Sequence, residues 1–552
     1  MKNKSVAVIG VCFAMIIFNA CKQTPSSLAL YVPKDASAVF VIDAKSMADK
    51  IASSDITLDS LASLMHSGND NMLKWNDIEN SGVDISKPLY VFTKEAASIQ
   101  RGNIESSALI AEVNDENKME AFFKARKPGS AISSISGYKY LKLQAGVIAG
   151  WTNKVLIVSC IQGDDVQDAV LQSQLTALFN QKESESIAST GAFKQPFTKP
   201  SDIHFYISTA GKLNEAAVVG MPKIAELLQN SYTDGVVNFE KGKIEASGAT
   251  HYNETFAGIV NKYPAQEIKP EMIKNYPDTL TGLGIVSFNP KLLTDILHYL
   301  GFDAMADGFT SDIGFTTADI VNAFSGDIAI MFSSHAQKNM ENSLKNGNFL
   351  IAAVIGDKGA FDKVMNGLLD KGLLTKKDDG YRLGLSGGHG FVIETGNNNL
   401  FIASSDELIK AYQAPGKKPP LPADIEKEAG NKSMALYCDI NQFLHNKPIK
   451  DTASLNTHTG NNYHNYKIAE SASATFASFI AFAGKGDKKT ITSGYRLNFV
   501  NENENSLASL ARFIVVARRE AMQYKKGAAA YPPLSGRNST DSLHAADSVN
   551  VR

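Results

Sequence analysis

The chain is written twice, and no other feature limits its fold as much. The run Ser107-Ala108-Leu109-Ile110-Ala111-Glu112-Val113 is followed by Ala121-Phe122-Phe123-Lys124, Gly137-Tyr138 and Val155-Leu156-Ile157-Val158-Ser159. It returns as Asn348-Phe349-Leu350-Ile351-Ala352-Ala353-Val354, then Ala360-Phe361-Asp362-Lys363, Gly380-Tyr381 and Leu400-Phe401-Ile402-Ala403-Ser404. Upstream, Ala38-Val39-Phe40-Val41-Ile42 parallels Leu283-Gly284-Ile285-Val286-Ser287. Downstream, Val236-Val237-Asn238-Phe239 turning into Ile244-Glu245-Ala246-Ser247-Gly248 parallels Phe479-Ile480-Ala481-Phe482 turning into Thr490-Ile491-Thr492-Ser493-Gly494. A repeated apolar pattern asks for the same buried faces twice, so the expectation is an internal duplication with two homologous domains, residues 28–276 and 277–526. The length agrees, since 552 residues exceed what one ordinary core supports.

Within each half, β-branched and aromatic runs of about five residues alternate with helical patterns and glycine-rich hairpin turns. Asp115 and the pair Asp164-Asp165 stand where helix N-caps belong, and Ser405-Asp406-Glu407 repeats the second of these between a strand and a helix. The reading is α+β: antiparallel sheets covered by helices on one face. A last helix is expected from Ser506 to Gly527, and the Pro- and Ser-rich tail 527–552 should stay disordered.

The first residues set the address. Lys2 and Lys4 precede an apolar run from Val6 to Phe18 that ends in Asn19-Ala20-Cys21. A core of about 13 residues fits a secretory leader, and it is shorter than the roughly 20 needed to span a bilayer. Residues 1–20 are therefore expected to be a lipoprotein signal peptide, with Cys21 acylated and residues 21–27 serving as a tether. Ordinary cleavage leaving Cys21 as a plain residue is the alternative. Two or more acyl chains hold a protein stably on a membrane where one is marginal.

Composition excludes some partners. A net charge of −2 with 20% charged residues lacks the basic excess that nucleic acid demands. Cys160 and Cys438 sit in apolar runs as buried thiols or as a disulfide, with no zinc or redox spacing. Neither a metal nor a cofactor is expected. No nucleophile elbow, Walker loop, dinucleotide fingerprint or paired-histidine metalloprotease helix occurs, so no catalytic residue is assigned.

The opening Leu30-Tyr31-Val32-Pro33-Lys34-Asp35-Ala36-Ser37-Ala38-Val39-Phe40-Val41-Ile42 resembles that of a Bacteroidota lipoprotein family known as a domain of unknown function, DUF4836. The resemblance implies phylum and envelope location, and it brings no activity. It also fits an outer-membrane lipoprotein, and the absence of acidic residues after Cys21 favours an orientation towards the periplasm. Several Asp-Ser and Asp-Thr motifs, among them Asp59-Ser60-Leu61 and Asp541-Ser542-Leu543, match Bacteroidota O-glycosylation sites.

The duplication separates scaffold from candidate site, because polar residues shared by both copies serve the fold. Among unshared residues, His389 lies in the turn Ser386-Gly387-Gly388-His389-Gly390, whose glycines suit either an anion or a plain hairpin. Trp151 is a core aromatic or a binding platform. The stretch Asn456–Lys467, read as a loop, gathers His458, Asn461, Tyr463, His464 and Tyr466, the rings and amides that a sugar or polar-peptide site uses. The expectation is a lipid-anchored envelope protein, non-catalytic, binding or scaffolding envelope proteins or glycans. A glycan- or peptide-directed hydrolase with its site between the repeats is the alternative. Replacing Cys21 with alanine should abolish palmitate labelling and move the protein from the membrane to the soluble fraction. Unchanged sedimentation with membranes would rule out the lipid anchor.

Overall fold

The computed structural model describes residues 27–52, 75–96, 104–135, 137–162, 166–191, 193, 200–209, 222–274, 276, 280–333, 348–377, 380–383, 391–414, 421, 423–445 and 461–530. Its strands fall into two runs. The first holds β1 (Ala38–Ile42), β2 (Leu89–Ala96), β3 (Ile104–Glu112), β4 (Ser133–Ile135), β5 (Tyr138–Gln144), β6 (Val147–Trp151), β7 (Val155–Ile161), β8 (Ile203–Ser208), β9 (Tyr232–Glu240) and β10 (Lys243–His251). The second holds β11 (Leu280–Ser287), β12 (Phe324–Ser333), β13 (Asn348–Ile355), β14 (Leu374–Lys377), β15 (Gly380–Leu383), β16 (Phe391–Gly396), β17 (Asn399–Ala403), β18 (Met434–Asp439), β19 (Phe476–Lys485) and β20 (Thr490–Phe499).

All of these pair antiparallel in one 20-stranded sheet. From one edge the order is β4-β5-β6-β7-β3-β2-β1-β8-β9-β10. Across the β10–β20 pairing it continues β20-β19-β18-β11-β12-β13-β17-β16-β15-β14. Read inward from its own edge, each run has the same order. The sheet therefore passes without a break from residues 28–276 to residues 277–526.

The registers tie the runs together residue by residue. Starting at Ile110, successive partners inward are Tyr90, Val41, His204, Val236 and Ser247. Starting at Ala352, they are Ala329, Ile285, Ala435, Phe482 and Gly494. Ser247 and Gly494 then pair with each other, so an approximate two-fold axis passes through that pair. Burial agrees with this correspondence: Ala108, Ile110, Ala111 and Val113 are buried, as are Leu350, Ala352, Ala353 and Ile355. Setting Ser107 against Asn348, as the sequence pattern suggested, is one residue out of step. A one-residue slip turns every side chain of a strand to the other face, so the correction matters for any comparison of side chains.

Helices cover both faces, not one. On one face the helix Asp168–Phe179 lays Leu171, Leu175 and Leu178 over Tyr90, Ile110 and Ile157. On the same face of the second run, Asp406–Gln413 and Ala423–Ala429 cover Ile285, Phe401, Ala435 and Phe482. The opposite face packs Met119 and Phe123 of the helix Glu116–Arg126 on Trp151 and Leu156, and Phe361, Val364 and Met365 of Lys358–Asp370 on Ile393 and Leu400. In the middle of that face, Ile51 of Ala44–Ala52 and Leu507 of Ser506–Ala530 cover Phe239. The sequence carries the reason: β7 buries Val155, Leu156 and Ile157 in succession, which needs cover on both sides.

Local chemistry follows the sequence reading in part. Asp115 caps its helix by accepting a hydrogen bond from the Lys118 amide. Asp164-Asp165 lie outside the described residues. The last helix runs through Gly527 to Ala530, because one glycine in a helix costs only about 1 kcal/mol. Asp202, buried, accepts from Lys50, Ser46 and the Phe239 amide at 2.6, 2.7 and 2.7 Å, and so ties the helix Ala44–Ala52 to β9. Cys160 and Cys438 are free, half-buried thiols. Among the described residues no helix is long and apolar enough to cross a membrane. Phe401 is 2% exposed at the centre of the second run's core. Its replacement by alanine should lower stability by about 3–5 kcal/mol in chemical denaturation, through lost burial and the cavity left behind.

Candidate functional site

The junction between the two runs is where the sheet carries its polar chemistry. On the face covered elsewhere by Asp168–Phe179 and Ala423–Ala429, strands β9, β10 and β20 present Val236, Asn238, Glu245, Ser247, Gly494 and Arg496 side by side. Alternation along the strands puts these residues on one face, and the partner registers align them in rows. At the axis, a Cβ added to Gly494 would meet nothing within 4 Å, so the missing side chain leaves open space. That space is part of a cavity of about 230 Å³ lined also by Phe482 and by Glu428 of the helix Ala423–Ala429.

One side of this cavity is ionic. Arg496 donates from Nε to Glu245 at 2.9 Å and from Nη2 to Glu428 at 3.2 Å, while Lys243 donates to Glu245 at 2.8 Å. Partial burial would raise the Glu245 carboxyl, but the hydrogen bonds from Lys243 and Arg496 outweigh it and hold the group below its ordinary value. The positions related to Glu245 and Arg496 by the axis are Thr492 and Ala249, so this ionic set occurs once only.

Two residues beyond Ala249, on the same face, is a second polar group. Asp234 Oδ1 and His251 Nε2 are 2.5 Å apart, and the Tyr232 ring stacks on the imidazole at 4.3 Å and 12°. Tyr206 lies 5.3 Å from Tyr232, and Phe193 lies 5.9 Å from Tyr206. Burial raises the Asp234 carboxyl despite the histidine beside it. The Tyr232 phenol is pushed up to about 12, by burial first and then by the charge of Asp234. At the positions of the second run related to Asp234 and His251 stand Ile480 and Asn498, and Asn498 bonds instead at 2.9 Å to Ser478, the counterpart of Tyr232. The Asp–His contact thus has no counterpart at the related positions, where an apolar residue stands in place of the carboxylate.

The residues singled out from sequence lie elsewhere. Trp151 is fully buried and stacked on Phe123 at 4.9 Å, on the opposite face of the sheet. It borders a pocket of about 320 Å³ with Lys139 and Glu116, and its indole Nε1 has no hydrogen-bond partner among the described residues. Asn461–Thr475 forms a helix where a loop was expected, because it packs along Ser506–Ala530. There His464 Nδ1 meets Glu520 Oε2 at 2.9 Å, with both side chains under a tenth exposed. Tyr463 packs edge-on against His464, and Tyr466 bonds Glu470 at 3.5 Å. Cys21, His389 and His458 lie outside the described residues, as do the Asp-Ser and Asp-Thr motifs named above.

Chemically, the charged groups of the junction are engaged with one another. The carboxylates of Glu245 and Glu428 close on one guanidinium, and His251 is hydrogen-bonded to Asp234. No group of three side chains able to hold a metal ion comes together among the described residues. Reading along the sequence passed over Asp234, Glu245, His251 and Arg496 because the two late hairpins were aligned out of step. With Ser247 set against Gly494, His251 falls opposite Asn498 and the difference is visible.

A family model, Domain of unknown function (DUF4836), matches residues 29–507. None of the curated proteins matches the chain. Among solved structures, crystal form III of TP0453 is 11% identical over 44% of this chain and 88% of that one, with a TM-score of 0.25. Crystal form I of TP0453 is 12% identical over 42% and 81%, also with a TM-score of 0.25. At such scores the likeness is not informative about this chain.

The electrostatics of the junction give a measurable pH effect. Because the folded-state carboxyl of Glu245 is depressed, its contribution is present above the unfolded value of 4.5 and is lost as pH falls through the folded value. Glu245→Gln should cost about 1 kcal/mol or less at pH 7, as for a half-exposed ion pair, and the difference from the parent should shrink as the solution is acidified below that value. Urea denaturation across pH checks both the size and the trend.

Proposed function

The chain belongs to the DUF4836 family, and from there we propose that it is a lipid-anchored cell-envelope protein that binds or scaffolds other envelope components without catalysis. Its Cys21 carries palmitate and further acyl chains after removal of residues 1–20, and the protein stands on the outer membrane of a Bacteroidota cell, facing the periplasm. Residues 28–276 and 277–526 descend from one duplicated unit, as their matched strand orders suggest. The observation that carries the binding reading is the junction itself. Its charges neutralise one another, and its polar groups face a cavity of about 230 Å³ beside covered hydrophobic surface, which suits recognition more than bond breaking.

Crosslinking in intact cells followed by recovery of the protein from membranes should return the same envelope partners in replicate experiments. Recovery of no reproducible partner would overturn the scaffold role.

The hydrolase reading has one observation in its favour. A histidine held by a carboxylate, as His251 is by Asp234, is half of a set that activates a hydroxyl or a water. Hydrolysis of envelope glycans or peptides by the purified protein, abolished in His251→Ala, would replace the binding reading with this one.

A further inference from the structure

We propose that the cavity on the two-fold axis is a binding site for a single neutral sugar ring, a reading that rests on the non-catalytic binding role and names its ligand class. Size is the first reason. At about 230 Å³ the cavity is smaller than the roughly 300 Å³ where pockets for drug-sized ligands begin, so it takes one ring and not an extended chain.

Charge is the second reason. Arg496 is bonded to Glu245 and Glu428, and Glu245 also to Lys243, so the positive and negative groups cancel. An anionic or cationic ligand would have to compete with these bonds. A hydroxyl does not: it donates to a carboxylate and accepts from a guanidinium without disturbing either.

The third reason is the arrangement of the wall. Asn238, whose Oδ1 accepts from the Asp202 amide at 3.3 Å, supplies its amide donors, and Ser247 supplies a hydroxyl that can donate or accept. Phe482 and Val236 line the same cavity with apolar surface, the partner that the C–H face of a sugar ring requires. Gly494 keeps the centre clear, since no atom lies within 4 Å of where its Cβ would stand. The related residue across the axis, Ser247, has a side chain, so the opening is one-sided.

The full-length protein, titrated with glucose, galactose, mannose and N-acetylglucosamine under saturation-transfer NMR, should take up signal from at least one of them. Arginine and glutamate serve as charged probes. Gly494→Leu fills the open space and should weaken that binding at least tenfold, and Ser247→Ala, at an exposed position, should weaken it while leaving thermal unfolding close to the parent's. Transfer to none of the four sugars, stronger transfer to the charged probes, or sugar binding unchanged in both variants would overturn the proposal. If crosslinked partners are still recovered when sugar binding fails, the binding or scaffolding role stands and only its ligand class is wrong.

Discussion

Everything distinctive about this protein depends on the pairing of β10 with β20. The ladder runs from Lys243 opposite Asn498 to His251 opposite Thr490, the full length of β10. Had each run folded alone, this strand would be an exposed edge, a row of unpaired N–H and C=O groups ready to recruit another chain. Joining the two edges removes both at once. The edges that remain are β4, with three residues, and β14, with four residues including Lys376 and Lys377. Short, lysine-bearing edges are poor templates for further pairing.

The same ladder explains why a site lies at the centre. Helices cover the sheet on either side of the junction, because apolar residues such as Ile110, Ile157, Ala352 and Phe401 require it. The axis falls between these covers. There the two strand runs meet, and a position can differ between them without harming either core. Glu245 and Arg496 on one side, and Asp234 and His251 on the other, occupy positions where the related residues are Thr492, Ala249, Ile480 and Asn498.

Much of the fold was legible in the chain. The strand runs around Ile110, Ile157, Ala352 and Phe401, the cap at Asp115 and the late hairpins all follow from apolar period and turn chemistry. Three things were not. The register between copies slipped by one residue, since Leu109-Ile110-Ala111 and Ile351-Ala352-Ala353 are apolar throughout and period alone does not choose a face. The stretch from Asn461 to Lys467 has polar, loop-like composition, yet packing against Ser506–Ala530 makes it helical and buries His464 against Glu520. Helices on both faces were also missed, because continuous apolar runs do not say how many sides are covered.

By itself, the sequence determined that short strands mix with amphipathic helices and that similar apolar runs recur along the chain in the same order. These are local or repeating properties, set by side-chain period and by residues adjacent in the chain. Only the tertiary structure decided that the two strand runs share one sheet, that the axis passes between Ser247 and Gly494, and that Glu428, on a distant helix, accepts from Arg496. Such contacts join residues far apart in sequence, and they exist only once hydrogen bonding between edge strands and burial between layers have chosen one arrangement among the many that the same local pattern allows.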